Sequence, residues 1–505
     1  MLQQLKKPLS FNQKVLSDPL SRVMVITIFI QIIFFCILPA ILAPITFFDS
    51  DKYILLAKYF LTYGYDFDKC IIELSPGYPI FLSILISIFG ETTGTGPCLG
   101  FFQGLSIALT NIFVGLIFYQ LTQKTRIALL ATVIAGLSIE LIYFSATVFT
   151  EPLFMLTAII FIFFIILAIE HDSLSFFSTG MFFLIVCLFI RPAMLPLIGF
   201  PFFSFSLSLS LKKKTSPNKS IAKPILISFI ITVLAVTSYR SITNNNYSLK
   251  EKLAIVWRRA IERTDTGRNY YMDHYNDHYR GLRAWSKNAD IPDLTRTKDH
   301  LFPLTPQYTG KSNITIPENR LLHWRTVLYY ELYNGASDTE AFEKMSDIAM
   351  DVLLHNPLSI LRSFIEDVIE ILKKPIRAIE VSYLQYPNNR NQPYKFNLIK
   401  RLTHHIHKIS VLATDYNLFL YLHIIVLLGL LSGFFLFEPI IYFSLLTILF
   451  AYFFISVFLS GMPLPRFFVL FIPFTGVSIL NIVLVFRTSI FFNRFSQKKL
   501  KIISS

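Results

Sequence analysis

Charge is scarce in this chain. Of its 505 residues only 15% are charged while 53% are hydrophobic, and mean hydropathy is +0.55. A soluble chain of this length could not hide that much apolar side chain in a core, so lipid must be part of its solvent. Cysteine is sparse as well, with four in all. Cys36, Cys98 and Cys187 lie in or at the ends of apolar runs and Cys70 lies in a short polar loop. No CxxC or Cys/His finger spacing joins them, which excludes a zinc-finger module, and a Cys70–Cys98 disulfide is left open. The chain has no internal repeat and no extended low-complexity tract, so neither a solenoid nor a disordered array fits. Ionisable residues inside the apolar runs are few, chiefly Glu140 and His423 near the ends. That speaks against a carrier or channel, which needs polar groups through the membrane interior.

Aromatic residues, by contrast, are abundant: 51 Phe and 24 Tyr suit a chain with much lipid contact and two interfaces to anchor. The formal charge is +14, but Lys and Arg lie largely in short loops and termini beside apolar runs. That distribution describes topology, not a nucleic-acid footprint.

The first apolar run, Arg22 to Pro44, follows a basic start (Lys6, Lys7, Lys14, Arg22) and is long enough to span as an uncleaved first helix. Further runs fall at 98–119, 127–144, 151–169, 174–211, 221–239, 418–436, 439–459 and 467–486. The run 174–211 is too long for one crossing, and Arg191-Pro192 divides it into two helices. The expected total is about ten spans. The short run Ile80 to Phe89 is more typical of an interfacial helix. If it does not cross, Lys124 and Arg126, Lys212 to Lys214 and the tail from Arg487 all fall on the inner side. The expected fold is therefore an all-α polytopic membrane protein with a mainly helical extracytoplasmic segment. Residues 1–240 form a membrane module with its first outer loop at 45–97, residues 241–416 the outer segment, and residues 417–505 the last spans and a basic cytoplasmic tail.

That topology places Phe47 to Pro97, the turn before Glu151, the Arg191-Pro192 turn and the long segment on the outer face. Asp49 and Asp51 follow the first span at headgroup depth, where a carboxylate can meet both a lipid-borne group and a water-side substrate. They can equally cap the next helix, Lys52 to Tyr63. Asp49, Tyr53 and Ala57 share one face of it. Glu151 opens an outward-facing helix end, where it either caps the dipole or joins Asp49 or Asp51 in holding a divalent cation or an acceptor. Arg191 and Arg466, at span ends, are either snorkelling anchors or phosphate clamps, a role that a guanidinium fork suits well. Lys58 and Arg240 are further outer cations.

These residues stand in an order that resembles a known superfamily. D-S-x-x-Y-x-x-x-A (Asp49 to Ala57) follows the first span, and P-G-Y-P (Pro76 to Pro79) precedes a short apolar helix. T-E-P-L-F (Thr150 to Phe154) opens a later span, R-P (Arg191-Pro192) closes the next, and P-R-F (Pro465 to Phe467) precedes the last. The pattern resembles the GT-C integral-membrane glycosyltransferases, especially the bacterial branch related to protein mannosyltransferases and lipid A aminoarabinose transferases. It covers the first 210 residues well and the final spans loosely.

The resemblance implies transfer of a sugar from a polyprenyl-phosphate carrier to a lipid, glycan or protein acceptor, with inversion, at the outer interface of a bacterial inner (plasma) membrane facing the periplasm. Asp49 maps onto the family's first-loop aspartate, which orients and deprotonates the acceptor hydroxyl. Ser50 fills the place where many relatives carry a second acid, and Asp51 follows it. Arg191, Arg466, Lys58 and Tyr53 fall on the donor side; Glu151 and Tyr78 fall on the acceptor or cation side.

Within the outer segment, Tyr270 to Tyr279 alternates aromatic, imidazole and carboxylate groups. Tyr271, Tyr275 and Tyr279 are expected on one helix face, and so are His274 and His278. The stretch suits packing, sugar stacking or a metal pair, and His404, His405 and His407 suit an interfacial helix end. A glycan polymerase or ligase, a lipid-linked glycan transporter and a non-catalytic envelope scaffold are the competing readings.

Overall fold

A computed structural model describes residues 18–42, 50–64, 75–90, 96–137, 148–191, 226–234, 257–262, 264–287, 324–336 and 338–373, with isolated turns and single positions elsewhere. All of its regular structure among the described residues is helical. The N-terminal elements are α1 (Pro19–Leu42), α2 (Ser50–Tyr63), α3 (Gly77–Phe89), α4 (Pro97–Thr122), α5 (Thr125–Ala135), α6 (Glu151–His171) and α7 (Leu174–Ile190). Three of them, α1, α4 and α6, are long and apolar enough to cross a bilayer, at 24, 26 and 21 residues. Of the expected span 221–239, residues 226–234 are described and helical, while the expected spans at 418–436, 439–459 and 467–486 fall largely outside the described residues.

Helix α1 lies directly along α4. A side chain cannot fit between them: a Cβ on Gly104 would fall 1.7 Å from the Phe35 carbonyl oxygen, and one on Gly100 2.2 Å from that of Pro39. Small residues four apart permit this backbone approach, the usual device where lipid supplies no hydrophobic drive. The outer side of α1 leaves Val23, Ile26, Phe29 and Ile30 exposed, as a lipid-facing surface requires. Helices α6 and α7 form an antiparallel hairpin whose turn puts Asp172 in the left-handed region at φ 50°, after which Ser173 caps α7 by accepting from the Phe176 amide. Their contact is mostly apolar, with the Thr157 hydroxyl meeting the Cys187 thiol at 3.1 Å, and belongs to one large buried core with α4 and α5.

The two ends of this bundle differ. At one end Arg126 pairs with Asp18 at 3.1 Å and Gln123 donates to Glu170. The opposite end gathers the N-termini of α2, α3, α4 and α6 and the C-terminus of α7. Helix α7 stops at Ile190, and Arg191 turns to extended backbone (φ −144°, ψ 105°), as a residue before proline does. The expected break at Arg191-Pro192 is thus where the helix ends.

The long polar segment between the apolar runs contains a π-helical turn (Arg258–Glu262), α8 (Asp265–His274), α9 (Asn276–Ser286), α10 (Trp324–Tyr333), α11 (Asp338–His355) and α12 (Pro357–Lys373). They enclose a second core around Trp257, Tyr271, Leu282, Val327, Met345 and Val352. The Trp257 indole donates to the Leu322 carbonyl at 2.8 Å, so the ring is buried without losing its hydrogen bond.

Candidate functional site

Four of the residues singled out from the sequence meet at the end of the bundle opposite Asp18. The Ser50 hydroxyl donates to the Val148 carbonyl at 2.9 Å and so ties the start of α2 to the strand of chain that enters α6. Three residues on, Tyr53 meets Tyr78 edge to face at 5.2 Å between ring centroids. Tyr53 and Ala57 both pack into one small core with Tyr78, Leu82, Leu99 and Val148, which bears out their placement on one face of α2.

Tyr78 is fully buried and its hydroxyl accepts a hydrogen bond from Gln103 at 3.2 Å, while Gln103 also donates to the Phe149 carbonyl at 3.1 Å. Gln103 was not among the residues expected at the site. An amide within an otherwise apolar span is costly unless satisfied, and that cost is the signal by which its sequence position could have been read. Gly77 explains why the motif before α3 needs glycine: a Cβ there would lie 2.7 Å from the Phe189 carbonyl carbon. Helix α3 thereby rests on the end of α7, beside Arg191.

Arg191 and Glu151 form the charged centre of this end. Nη2 of Arg191 donates to Oε1 of Glu151 at 2.5 Å, with side chains only 13% and 2% exposed. The other carboxylate oxygen accepts from the Thr150 hydroxyl at 3.3 Å. The guanidinium also lies over the Phe154 ring at 5.1 Å, a cation–π contact. Glu151 stands in the first turn of α6, where the helix dipole favours a carboxylate. Its oxygens are thus engaged by Arg191 and Thr150, and what it holds in place is the arginine.

Lys58 is exposed on α2. Asp49 and Arg466 lie outside the described residues, as do Arg240, Cys70 and the His404 to His407 cluster; of Asp51 only the backbone is described. Cys36, Cys98 and Cys187 are free thiols. Among the described residues no group of three His, Cys, Asp or Glu side chains could hold a metal ion.

A second polar cluster lies among α8 to α11. Tyr275 interrupts the expected continuous helix (φ −113°, ψ 38°), so the stretch from Tyr270 becomes two helices, α8 and α9. The rings of Tyr271, Tyr275 and Tyr279 still meet. The two histidines diverge: His274 stacks on Tyr270, whereas His278 turns inward. Nε2 of His278 donates to Glu331, and its Nδ1 accepts from the Tyr271 hydroxyl at 2.5 Å. The other Glu331 oxygen takes a hydrogen bond from Lys344 at 2.9 Å. Burial tends to raise the Glu331 pKa, but the donors His278 and Lys344 outweigh it, and its carboxyl lies below the ordinary glutamate value. Burial, with Glu331 nearby, pushes the Tyr271 phenol upward. Asp351 accepts from Tyr275 at 2.8 Å and Tyr270 at 3.3 Å; burial and that hydrogen bond push Tyr275 up to about 12.

The cluster at the bundle end and the Glu331 network are two buried polar features among the described residues. The chain matches no protein-family model, and neither the curated proteins nor the solved structures contain a match to it.

Proposed function

We propose that the chain is a multi-pass membrane enzyme that transfers a sugar from a polyprenyl-phosphate carrier to an acceptor on the outer face, with the site at the bundle end that holds Arg191. The observation that carries this reading is the buried Arg191–Glu151 pair, whose glutamate lies three residues along the chain from the Val148 carbonyl that holds the start of α2. Ser50 is adjacent to Asp49, and its bond to Val148 holds that part of the chain within a few residues of Glu151.

The proposed reaction needs two things from the protein. The acceptor hydroxyl attacks the anomeric carbon while the C–O bond to phosphate breaks, so the electron pair moves onto the phosphate and the hydroxyl proton must leave. Asp49 takes that proton. The phosphodiester becomes a monoester, and the added negative charge needs a fixed cation. A guanidinium carries five N–H donors in a rigid fork. Engaging Nη2 with Glu151 fixes the direction of the rest, so Glu151 is a positioning residue and Arg191 the phosphate ligand. Arg466 is the second cation in this scheme, Tyr53 lies on the donor side, and the buried Tyr78 backs the Tyr53 ring edge to face. The outer segment selects the acceptor.

Vesicles reconstituted with the protein and an isoprenoid-phosphate sugar test the reading. Protein-dependent release of isoprenoid phosphate, lost in Arg191→Ala, is the expected result. Normal donor affinity in both Arg191→Ala and Arg466→Ala would remove the clamp from the scheme.

A further inference from the structure

Helix α12 is inverted for a helix that faces water. Ser363 and Asp367 are buried, whereas Leu358, Leu361, Ile365 and Ile369 are 80%, 53%, 47% and 40% exposed. At about 100° per residue these four side chains form one stripe along the helix. Leu354 at the end of α11 carries the stripe back across the Asn356-Pro357 junction. Phe364 and Val368 occupy the flank beside it, and both pack against the buried core of the apolar bundle. The opposite flank carries an exposed ion pair, Arg362 Nε to Glu366 Oε1 at 3.0 Å. Passing around α12, the order is bundle core, exposed apolar stripe, charged pair, buried polar side.

We propose that α12 and the end of α11 form a lipid-docking surface, with the stripe seated at the boundary between headgroups and acyl chains of the bilayer that the bundle spans. Continuity identifies the occupant. The same helix touches the bundle core through Phe364 and Val368, so its neighbouring stripe faces the space beside the bundle, which lipid fills. An apolar face bordered by charged side chains is the pattern of a helix lying in the membrane interface, and a row of large apolar side chains this long is not left in water without use. The inner side of α11, through Met345, Ile348, Ala349 and Val352, belongs to the core of the outer segment. Docking of the stripe therefore fixes the Tyr271–His278–Glu331 network at a set height over the membrane plane, where an acceptor chosen by that segment reaches the bundle.

The inference rests on the membrane reading, and its test separates the two. The full chain carries a dansyl-bearing side chain at position 361, at 358 as a second stripe site, at 366 or at 29, and is placed in nanodiscs whose lipids bear a nitroxide at a shallow acyl position. Lipid nitroxide is expected to quench the labels at 358, 361 and 29 several-fold more than the label at 366, and aqueous iodide to show the reverse order. The proposal is overturned if iodide reaches 358 and 361 as readily as 366, or if neither quencher reaches them, which would mean that protein covers the stripe. Lipid quenching at 29 in those cases leaves the membrane reading standing. Iodide quenching at 29 overturns both.

Discussion

Arg191 and Glu151 are forty residues apart in the chain yet share a 2.5 Å hydrogen bond that joins the end of α7 to the start of α6. Removing one partner leaves a buried charge unpaired, which costs about 3–5 kcal/mol. Arg191→Gln and Glu151→Gln are each expected to lower thermal stability in detergent by that order, and the double variant to recover much of it. Isothermal binding of an isoprenoid phosphate separates structure from function: the double variant recovers stability but not binding. Recovery of both would reduce the pair to a staple.

Gly77 sits where α3 crosses the Phe189 backbone, and a methyl group there meets atoms that cannot rotate away. Gly77→Ala is expected to cost about 1–3 kcal/mol by overpacking and to displace Tyr78 from Gln103. Ile84→Ala, on the exposed side of the same helix, serves as the control and should change stability little. Equal thermal shifts in the two variants would contradict the packing described.

The Glu331 network predicts that the packing of α8 to α11 is acid-sensitive. Its carboxyl is held below the ordinary value of 4.5 in the folded chain, so its contribution to stability is fully present above that value and is lost as pH falls through the depressed folded value. Tyr275 gives the opposite limb: its phenol is raised from 10.0 to about 12, so its contribution is present below 10 and is lost as pH rises through about 12. Unfolding followed by Trp257 and Trp285 fluorescence should show both limbs, with Glu331→Gln flattening the acid limb and Tyr275→Phe the alkaline one. Unchanged pH profiles in both variants would dissociate the network from stability.

Sidedness has its own test. Single cysteines at Ser216, after the Lys212 to Lys214 triplet, and at Ser312, in the outer segment, should react with an impermeant thiol reagent from opposite sides of sealed vesicles. Reaction of both from the same side would refute the topology.

Much of the architecture is legible in the sequence because the bilayer imposes length. Runs from Arg22, 98 and 151 match α1, α4 and α6 to within a few residues at most ends, and Arg191-Pro192 ends α7 because proline excludes helical backbone before it. The short helix α3 and the convergence of Tyr53, Tyr78, Glu151 and Arg191 follow from the order of the motifs. What periodicity could not supply is any detail decided by tertiary contact. Gln103 reaches Tyr78 only because α3 folds back beside α4. The kink at Tyr275 sends His278 to Glu331, 53 residues away, and no face count along a continuous helix foresees that. Helix α12 has the helical period that the sequence announces, but which of its faces is buried depends on what lies beside it.

The measurement that bears most directly on the account is sugar transfer by Asp49→Asn in reconstituted vesicles supplied with an isoprenoid-phosphate sugar and acceptor. The account predicts that transfer is abolished while membrane insertion and thermal stability stay as in the unaltered chain. Retained turnover in that variant would contradict it.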